Sequence, residues 1–428
     1  MRHGQICFCH LPHAPSPMPH PCMTVLVADA FSPAGIDRLH AAGHTVVSEP
    51  GLSGDALSDA LREHDPAVLV VRSTKVTEAH LDAGAGLELV VRAGAGVDTI
   101  DVAAASARGV YVANCPGKNA SAVAELAFGL ILALDRRIPD NVADARAGTW
   151  DKKGYSQARG LRGRTLGLLG LGHVGQEMIA RATAFGMPVV AWSRSLTPED
   201  AARLGVTFAP TPLDVARAAD VLSVHVARTP ETMGLVGDAL LAALRPGASL
   251  VNTSRAETVD EAAVARAMET NGLRYATDVP AGEPAASQGA FAHPLAGRAY
   301  LTHHVGASTD EATEAIGDEA VRLLLAYAET GRVDNVVNLA EQTPATHLLT
   351  VRHRDRVGVL AGVLGEVREA GWNVHEMENL VFAGAHAAVA RIRFDPGGTE
   401  PGEGTPDGAA LVRIRALDHV LHAAVIAV

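Results

Sequence analysis

Three side chains of different chemistry stand at the ends of apolar, β-rich runs: Arg255 closes LVNTSR, Glu283 follows RYATDV, and His304 closes YLTHH. Parallel strands deliver their C-terminal ends to the crevice where ligands bind, so the three can meet although the chain separates them. A guanidinium offers a forked donor to a carboxylate and polarises the carbonyl beside it. An imidazole carries a proton near neutral pH, and a carboxylate keeps that ring oriented. Together they are what hydride exchange at C2 of a small 2-hydroxy acid requires besides the hydride carrier. Taken singly, each also reads as an ordinary residue: a surface ion-pair arginine, a loop carboxylate, a structural histidine.

The carrier's site is written at 170–175. Gly170, Gly172 and Gly175 form GLGHVG between the strand-like TLGLLG and a helical run from His173. The first glycine permits a tight turn, the second lets backbone approach a pyrophosphate, and the third lets helix pack on sheet, while the helix N-terminus offers free N–H groups to the anion. The expected cofactor is NAD(H) or NADP(H). The next strand ends at Ser193 and Arg194, where an NAD site usually places a carboxylate on the ribose. Arg194 can pair with a 2′-phosphate, and equally can be a solvated neighbour of a serine that still reaches the ribose, so both cofactors stay open.

The elements that must position these residues alternate along the chain. From Thr24, short β-rich runs and helical segments follow one another to VYVANCPG, and a second such series runs from TLGLLG to RYATDV. That rhythm predicts an α/β fold of two Rossmann-like, doubly wound parallel sheets. The expected organisation is a tail or over-long start over 1–23, a discontinuous substrate domain over 24–116 and 305–338, a dinucleotide-binding domain over 117–304, and a small α+β module of βαββαβ order over 345–428. The Ala- and Leu-rich segment 121–150 reads as a buried connector.

Composition narrows the class. Hydrophobic residues make up 48% and charged residues 20% of the 428, the balance of a globular chain, and no stretch is long and apolar enough to span a membrane. Acidic residues outnumber basic ones, 48 to 36, for a formal net charge of -12, which disfavours nucleic acid as a partner. Four cysteines, three of them (Cys7, Cys9, Cys22) crowded into the first 22 residues, make no disulfide framework, so a reducing, cytoplasmic setting is expected. The tail's Cys and His could form a soft metal site, but its Pro-rich character reads as a loose segment, and no metal is expected.

The runs that carry these residues resemble the D-2-hydroxyacid dehydrogenase family, and within it the branch acting on 3-phosphoglycerate. RSTKVT (72–77), RAGAGVDTID (92–101), NCPGKNASAVAELAFG (114–129), GLGHVG, FGMPVVAWSR (185–194), NTSR (252–255), GEP (282–284) and HVGAST (304–309) occur in family order. The resemblance implies that Arg255, Glu283 and His304 are catalytic. It implies cofactor contacts at Gly170, Gly172, His173, Val174, Gly175, Ser193, Arg194, Val226, Thr253, Ser254, Asp278, Gly306 and Ala307. It places Arg72, Lys75, Arg92, Gly94, Ala95 and Gly96 at an anionic 2-hydroxy or 2-oxo acid, and it implies a homodimer built through the segment near 121–150.

Two departures stand out: Ala256 and Glu257 replace the family's Gly-Gly pair after the arginine, and His303 replaces the proline before the histidine. The tail from about 345 resembles an ACT domain through HRDRVGVL (353–360) and EAGWNV (369–374), implying an amino-acid effector at His353, Asp355 and Asn373. Two alternatives remain: a reductase of glyoxylate, hydroxypyruvate or another 2-oxo acid, and a nucleotide-sensing protein without catalysis.

Overall fold

The computed structural model describes residues 22–284, 289–397 and 406–428, so the expected tail of 1–23 with its Cys and His lies almost wholly outside the described residues, as does most of the loop near 397–408. Two compact units divide at Asn338 and Leu339.

The first unit holds two parallel sheets. Strands Thr24–Val27 (β1), Thr45–Ser48 (β2), Val68–Val71 (β3), Leu89–Arg92 (β4) and Tyr111–Asn114 (β5) order as β2-β1-β3-β4-β5. Strands Leu166–Leu169 (β6), Val189–Trp192 (β7), Thr207–Phe208 (β8), Val221–Val224 (β9), Ser249–Asn252 (β10), Arg274–Thr277 (β11) and Tyr300–Leu301 (β12) order as β12-β11-β10-β9-β6-β7-β8. Every residue of β3, β6, β9 and β10 is buried, because helices cover both faces of a parallel sheet and leave no polar side. Sheet order reverses beside β6, where the chain passes from β7 and β8 on one side to β9 on the other. Ligands bind at such a switch point, outside the carboxyl ends of the strands.

The segment expected as one buried connector forms two helices. Ala120–Arg136 is buried along much of its length, whereas Ile138–Arg146 buries no residue. Arg137 adopts left-handed φ 48° between them, and Pro139 brings no N–H to continue the first helix. The long helix Asp310–Thr330 starts at Thr309, whose hydroxyl accepts from Ala312 N at 3.1 Å, and packs its buried face on the first sheet.

The second unit alternates as strand His347–Arg354 (β13), helix Val359–Glu369, strands Asn373–Val381 (β14) and Ala387–Asp395 (β15), helix Gly408–Ala416, and strand Val420–Ala427 (β16). Its antiparallel sheet orders β14-β15-β13-β16, around a core in which Trp372 stacks on Phe394. The fold class read from the sequence is the one observed.

Two carboxylates, one buried and one half-buried, fix the ends of strands. Asp135 and Arg164 pair at 2.9 Å with side chains only 3% and 7% exposed, tying the helix Ala120–Arg136 to the turn that enters β6. Replacing Asp135 with Ala strands a buried guanidinium, so unfolding by denaturant is expected to show a loss of about 3–5 kcal/mol. Asp29, just past β1, accepts backbone N–H groups of Arg72, Ser73 and Thr74 and so holds the turn after β3. Burial alone would raise its carboxyl, but those hydrogen bonds together outweigh burial and hold it below the ordinary 3.8. A depressed carboxyl stabilises above its ordinary value and loses that contribution as pH falls through the lowered one. Asp29→Asn is therefore expected to destabilise at neutral pH, with the gap to the natural chain closing below about pH 3.8 in urea titrations.

Candidate active site

One cleft gathers the three residues first singled out. Arg255, Glu283 and His304 line it with Arg92, Gly96, Asp98, Arg228 and Glu257. Arg255 follows β10, Glu283 follows β11 and His304 follows β12, so three neighbouring strands of the second sheet each deliver one. Residues 92–98 come from the first sheet.

His304 Nδ1 lies 2.8 Å from Glu283 Oε2. With Nδ1–H donating to the carboxylate, Nε2 is left to exchange a proton in the cleft. The neighbouring His303 makes no such contact among the described residues, so His304 is the one of the two that pairs with the Glu283 carboxylate. His304 adopts φ 53°, the left-handed region that a non-glycine residue enters at a cost and that surrounding bonds must hold. Asp278 supplies them: its buried carboxylate accepts the Thr302 hydroxyl at 2.6 Å and the N–H groups of Val305 at 2.9 Å and Gly306 at 2.7 Å. The residue expected at the cofactor thus grips the turn that carries the imidazole.

Arg255 is held from two sides. Its Nε donates to Asp98 Oδ2 at 2.8 Å and its Nη1 to the carbonyl of Ser254 at 2.7 Å, while Nη2 lies against Gly96, where a Cβ would collide with it. Burial would raise the Asp98 carboxyl, but the Arg255 guanidinium, aided by Arg228, holds it below the usual carboxylate range and keeps it charged. Arg92 is half-buried, and burial followed by the like charges of Arg255 and Arg72 pulls its guanidinium down from its ordinary value. Its Nε has no partner among the described residues. A desolvated cation in a cleft is suited to an anionic ligand.

A second cleft adjoins the first, sharing Gly96, Asp98, Arg228 and Arg255. Gly172, His173, Val174, Val226, Thr253 and Ser254 line it, together with residues 116, 117 and 119 before the helix Ala120–Arg136. Gly170 adopts φ 93° and approaches the His225 carbonyl, Gly175 packs on the Gly170 carbonyl, and open space faces Gly172 at the N-terminus of the helix His173–Ala184. Each glycine thus occupies the place that the GxGxxG arrangement requires. Thr253 Oγ1 is buried here without a partner among the described residues, an atom that a bound cofactor would satisfy. Burial pushes His225, which contacts Ser223 Oγ at 2.8 Å, down to about 4, so it stays neutral where it lines this cleft.

Other expected residues are placed less centrally. Arg72 and Lys75 follow β3 and do not line either cleft, although Arg72 lies near enough to Arg92 to act on its charge. Ser193 and Arg194 follow β7, and Arg194 is exposed with no ion pair among the described residues. In the second unit His353 is buried, its ring bound to the Arg354 carbonyl and Asn379 Oδ1. Asp355 follows the end of β13, which pairs with Ala387, while Asn373 pairs with Asp395 at the opposite end of β15. The three residues expected at an effector therefore do not converge within one chain. Sequence reasoning missed Asp98 and Arg228 as site residues. Asp98 stands in RAGAGVDTID, two residues beyond Gly96, and its carboxylate is the local signal for it.

Residues 128–306 match the D-isomer specific 2-hydroxyacid dehydrogenase, NAD binding domain. The chain is 40% identical over 349 residues to D-3-phosphoglycerate dehydrogenase of Mycobacterium bovis, covering 80% of this chain and 64% of that protein. It thus spans under two thirds of the length of that curated relative. Among solved structures, the NAD+-bound 3-phosphoglycerate dehydrogenase of Entamoeba histolytica is 28% identical with a TM-score of 0.62, over 74% of this chain and 99% of that one. The TT0316 protein of Thermus thermophilus is 33% identical with a TM-score of 0.65, over 74% of this chain and all of that one. With a shared fold, an ordered GxGxxG cleft and these matches, the chain belongs to the D-isomer specific 2-hydroxyacid dehydrogenase family.

Proposed function

We propose that this chain is an NAD(P)-dependent dehydrogenase acting at C2 of a 2-hydroxy acid, with 3-phosphoglycerate and 3-phosphohydroxypyruvate as its substrate pair. The observation that carries this reading is the cleft itself, where Arg255, the His304–Glu283 pair and the glycine-rich turn adjoin. The 40% identical relative named for that substrate supports the choice of acid. The half-buried Arg92, whose Nε has no partner among the described residues, with Arg72 near enough to act on its charge and Lys75 on the same turn as Arg72, gives the local positive charge that an acidic protein needs to collect a polyanion.

A nicotinamide held in the glycine-rich cleft, against Gly172 and Thr253, would supply or accept the hydride. Arg255 holds the substrate carboxylate on the edge that Asp98 does not occupy and polarises the C2 oxygen. His304 Nε2 gives that oxygen its proton in reduction and takes it in oxidation, while Glu283 keeps Nδ1 engaged. Arg194 admits NADP beside NAD, since it is exposed and unpaired among the described residues where a 2′-phosphate would sit.

The assembly expected from segment 121–150 is a homodimer, supported by the exposed Ile138, Val142 and Trp150, the last 84% exposed. The ACT-like second unit is proposed to bind an amino-acid effector between two copies, which would bring Asp355 and Asn373 together. A cytoplasmic setting fits a chain in which no described helix is long and apolar enough to cross a membrane.

Glu283→Gln keeps the shape and removes the charge behind the imidazole, so kcat is expected to fall by roughly 10²- to 10⁴-fold with 3-phosphohydroxypyruvate and the pH profile to move. An unchanged kcat and profile would remove Glu283 from the chemistry. For the cofactor, Arg194→Ala is expected to lower the NADPH to NADH ratio of kcat/KM roughly tenfold, the worth of one charge-assisted contact. A ratio that does not move would make Arg194 a bystander.

A further inference from the structure

Two charged residues of the cleft serve neither the carboxylate anchor nor the proton carrier. Arg228, after β9, and Glu257, after β10, pair at 3.1 Å and line the same cleft as Arg255, Glu283 and His304. Arg228 also approaches Asp98 Oδ1 at 3.7 Å, while Arg255 Nε takes Oδ2 of the same carboxylate at 2.8 Å. Glu257, Arg228, Asp98 and Arg255 therefore form a row of alternating charge. The two guanidiniums stand apart by no more than one carboxylate and its two ion-pair contacts.

We propose that Arg228 is a second anion anchor of the substrate cleft and that Glu257 is its resident competitor. The pair then determines how well a 2-oxo acid with a second negative group, a phosphate above all, is accepted. This rests on reading the cleft as the 2-hydroxy acid site. Three observations carry it. First, Arg228 and Arg255 flank one carboxylate, Asp98, at 3.7 and 2.8 Å, so two anionic groups only a few bonds apart, as in a three-carbon acid with a terminal phosphate, can reach both guanidiniums. Second, the Arg228 and Glu257 side chains are 42% and 45% exposed, so water screens their attraction and the carboxylate can be displaced. A phosphate carries more charge and three acceptor oxygens, and a guanidinium binds it through two parallel hydrogen bonds. Third, Asp98 cannot act as the competitor, because it is committed to Arg255 by the shorter contact. The carboxylate at 257, where a glycine would bring no charge, is what keeps Arg228 occupied in the absence of substrate.

The experiment compares kcat/KM for 3-phosphohydroxypyruvate with that for hydroxypyruvate, on the full chain with NADH, and reads the ratio. Arg228→Gln is expected to lower the ratio roughly tenfold, as for loss of one charge-assisted contact, chiefly through KM of the ester. Glu257→Gln is expected to raise it by roughly threefold or more, and Arg228→Lys to retain part of it. A ratio unmoved in both charge-removing variants, with both acids affected alike, would overturn the proposal and leave Arg228 as a support for Asp98. If the natural chain reduces hydroxypyruvate but not its phosphate ester, the phosphoglycerate reading fails on its own. The anchor then stands only if Glu257→Gln gains turnover of the ester, and no gain overturns both.

Discussion

An arginine that must hold a substrate anion has first to be held itself, with part of its charge left unspent. In the proposed reading, Arg255 meets both demands through Asp98. A free arginine side chain carries about 2 kcal/mol of rotamer entropy, which would otherwise be lost at the moment of binding. Asp98 fixes Nε, the Ser254 carbonyl fixes Nη1, and Nη2 rests on the backbone of Gly96. Asp98 and Gly96 belong to the first sheet's loops and Arg255 and Arg228 to the second's, so the Asp98 carboxylate joins the two sheets at the cleft, with Arg255 as its closer partner. The glycine-rich cleft, the imidazole and the half-buried Arg92 are all arranged around that junction.

The imidazole is positioned by a different device. His304 stands in a left-handed backbone turn, and the Asp278 carboxylate offsets that cost by gathering a hydroxyl and two N–H groups around it. Because Asp278 follows β11 directly and Glu283 lies five residues further on, one stretch of chain both fixes the turn and supplies the ring's partner. A conformation unfavourable for histidine is thereby made part of the site rather than a defect in it.

Much of this was legible in the sequence because parallel α/β folds write their sites at strand ends. The periodic alternation of apolar runs and helices identified both sheets. GLGHVG, read with the strand before it and the helix after it, identified the cleft where a dinucleotide fits. Arg255, Glu283 and His304 were visible because each closes or follows a strand. What was not legible depended on contacts between distant segments. Nothing local shows that Asp29 will collect three N–H groups after β3, or that Asp98 will cross to Arg255, 157 residues away. Glu257 stood out as a departure from the family, but its partner Arg228 did not, since only the packing of β9 beside β10 brings their loops together. The segment 121–150 misled for another reason: its apolar density describes the helix Ala120–Arg136, while Arg137 and Pro139 turn the remainder outward.

The central claim is that this cleft moves a hydride between a nicotinamide and C2 of a 2-hydroxy acid. It is tested most directly by supplying the full chain with NADH deuterated at the transferable position together with 3-phosphohydroxypyruvate, and reading the product by mass spectrometry. One deuterium bonded to C2 of 3-phosphoglycerate is the predicted result. Absence of product, with hydroxypyruvate and glyoxylate equally unlabelled and the nicotinamide unoxidised, would contradict the account and leave a nucleotide-binding protein without this chemistry.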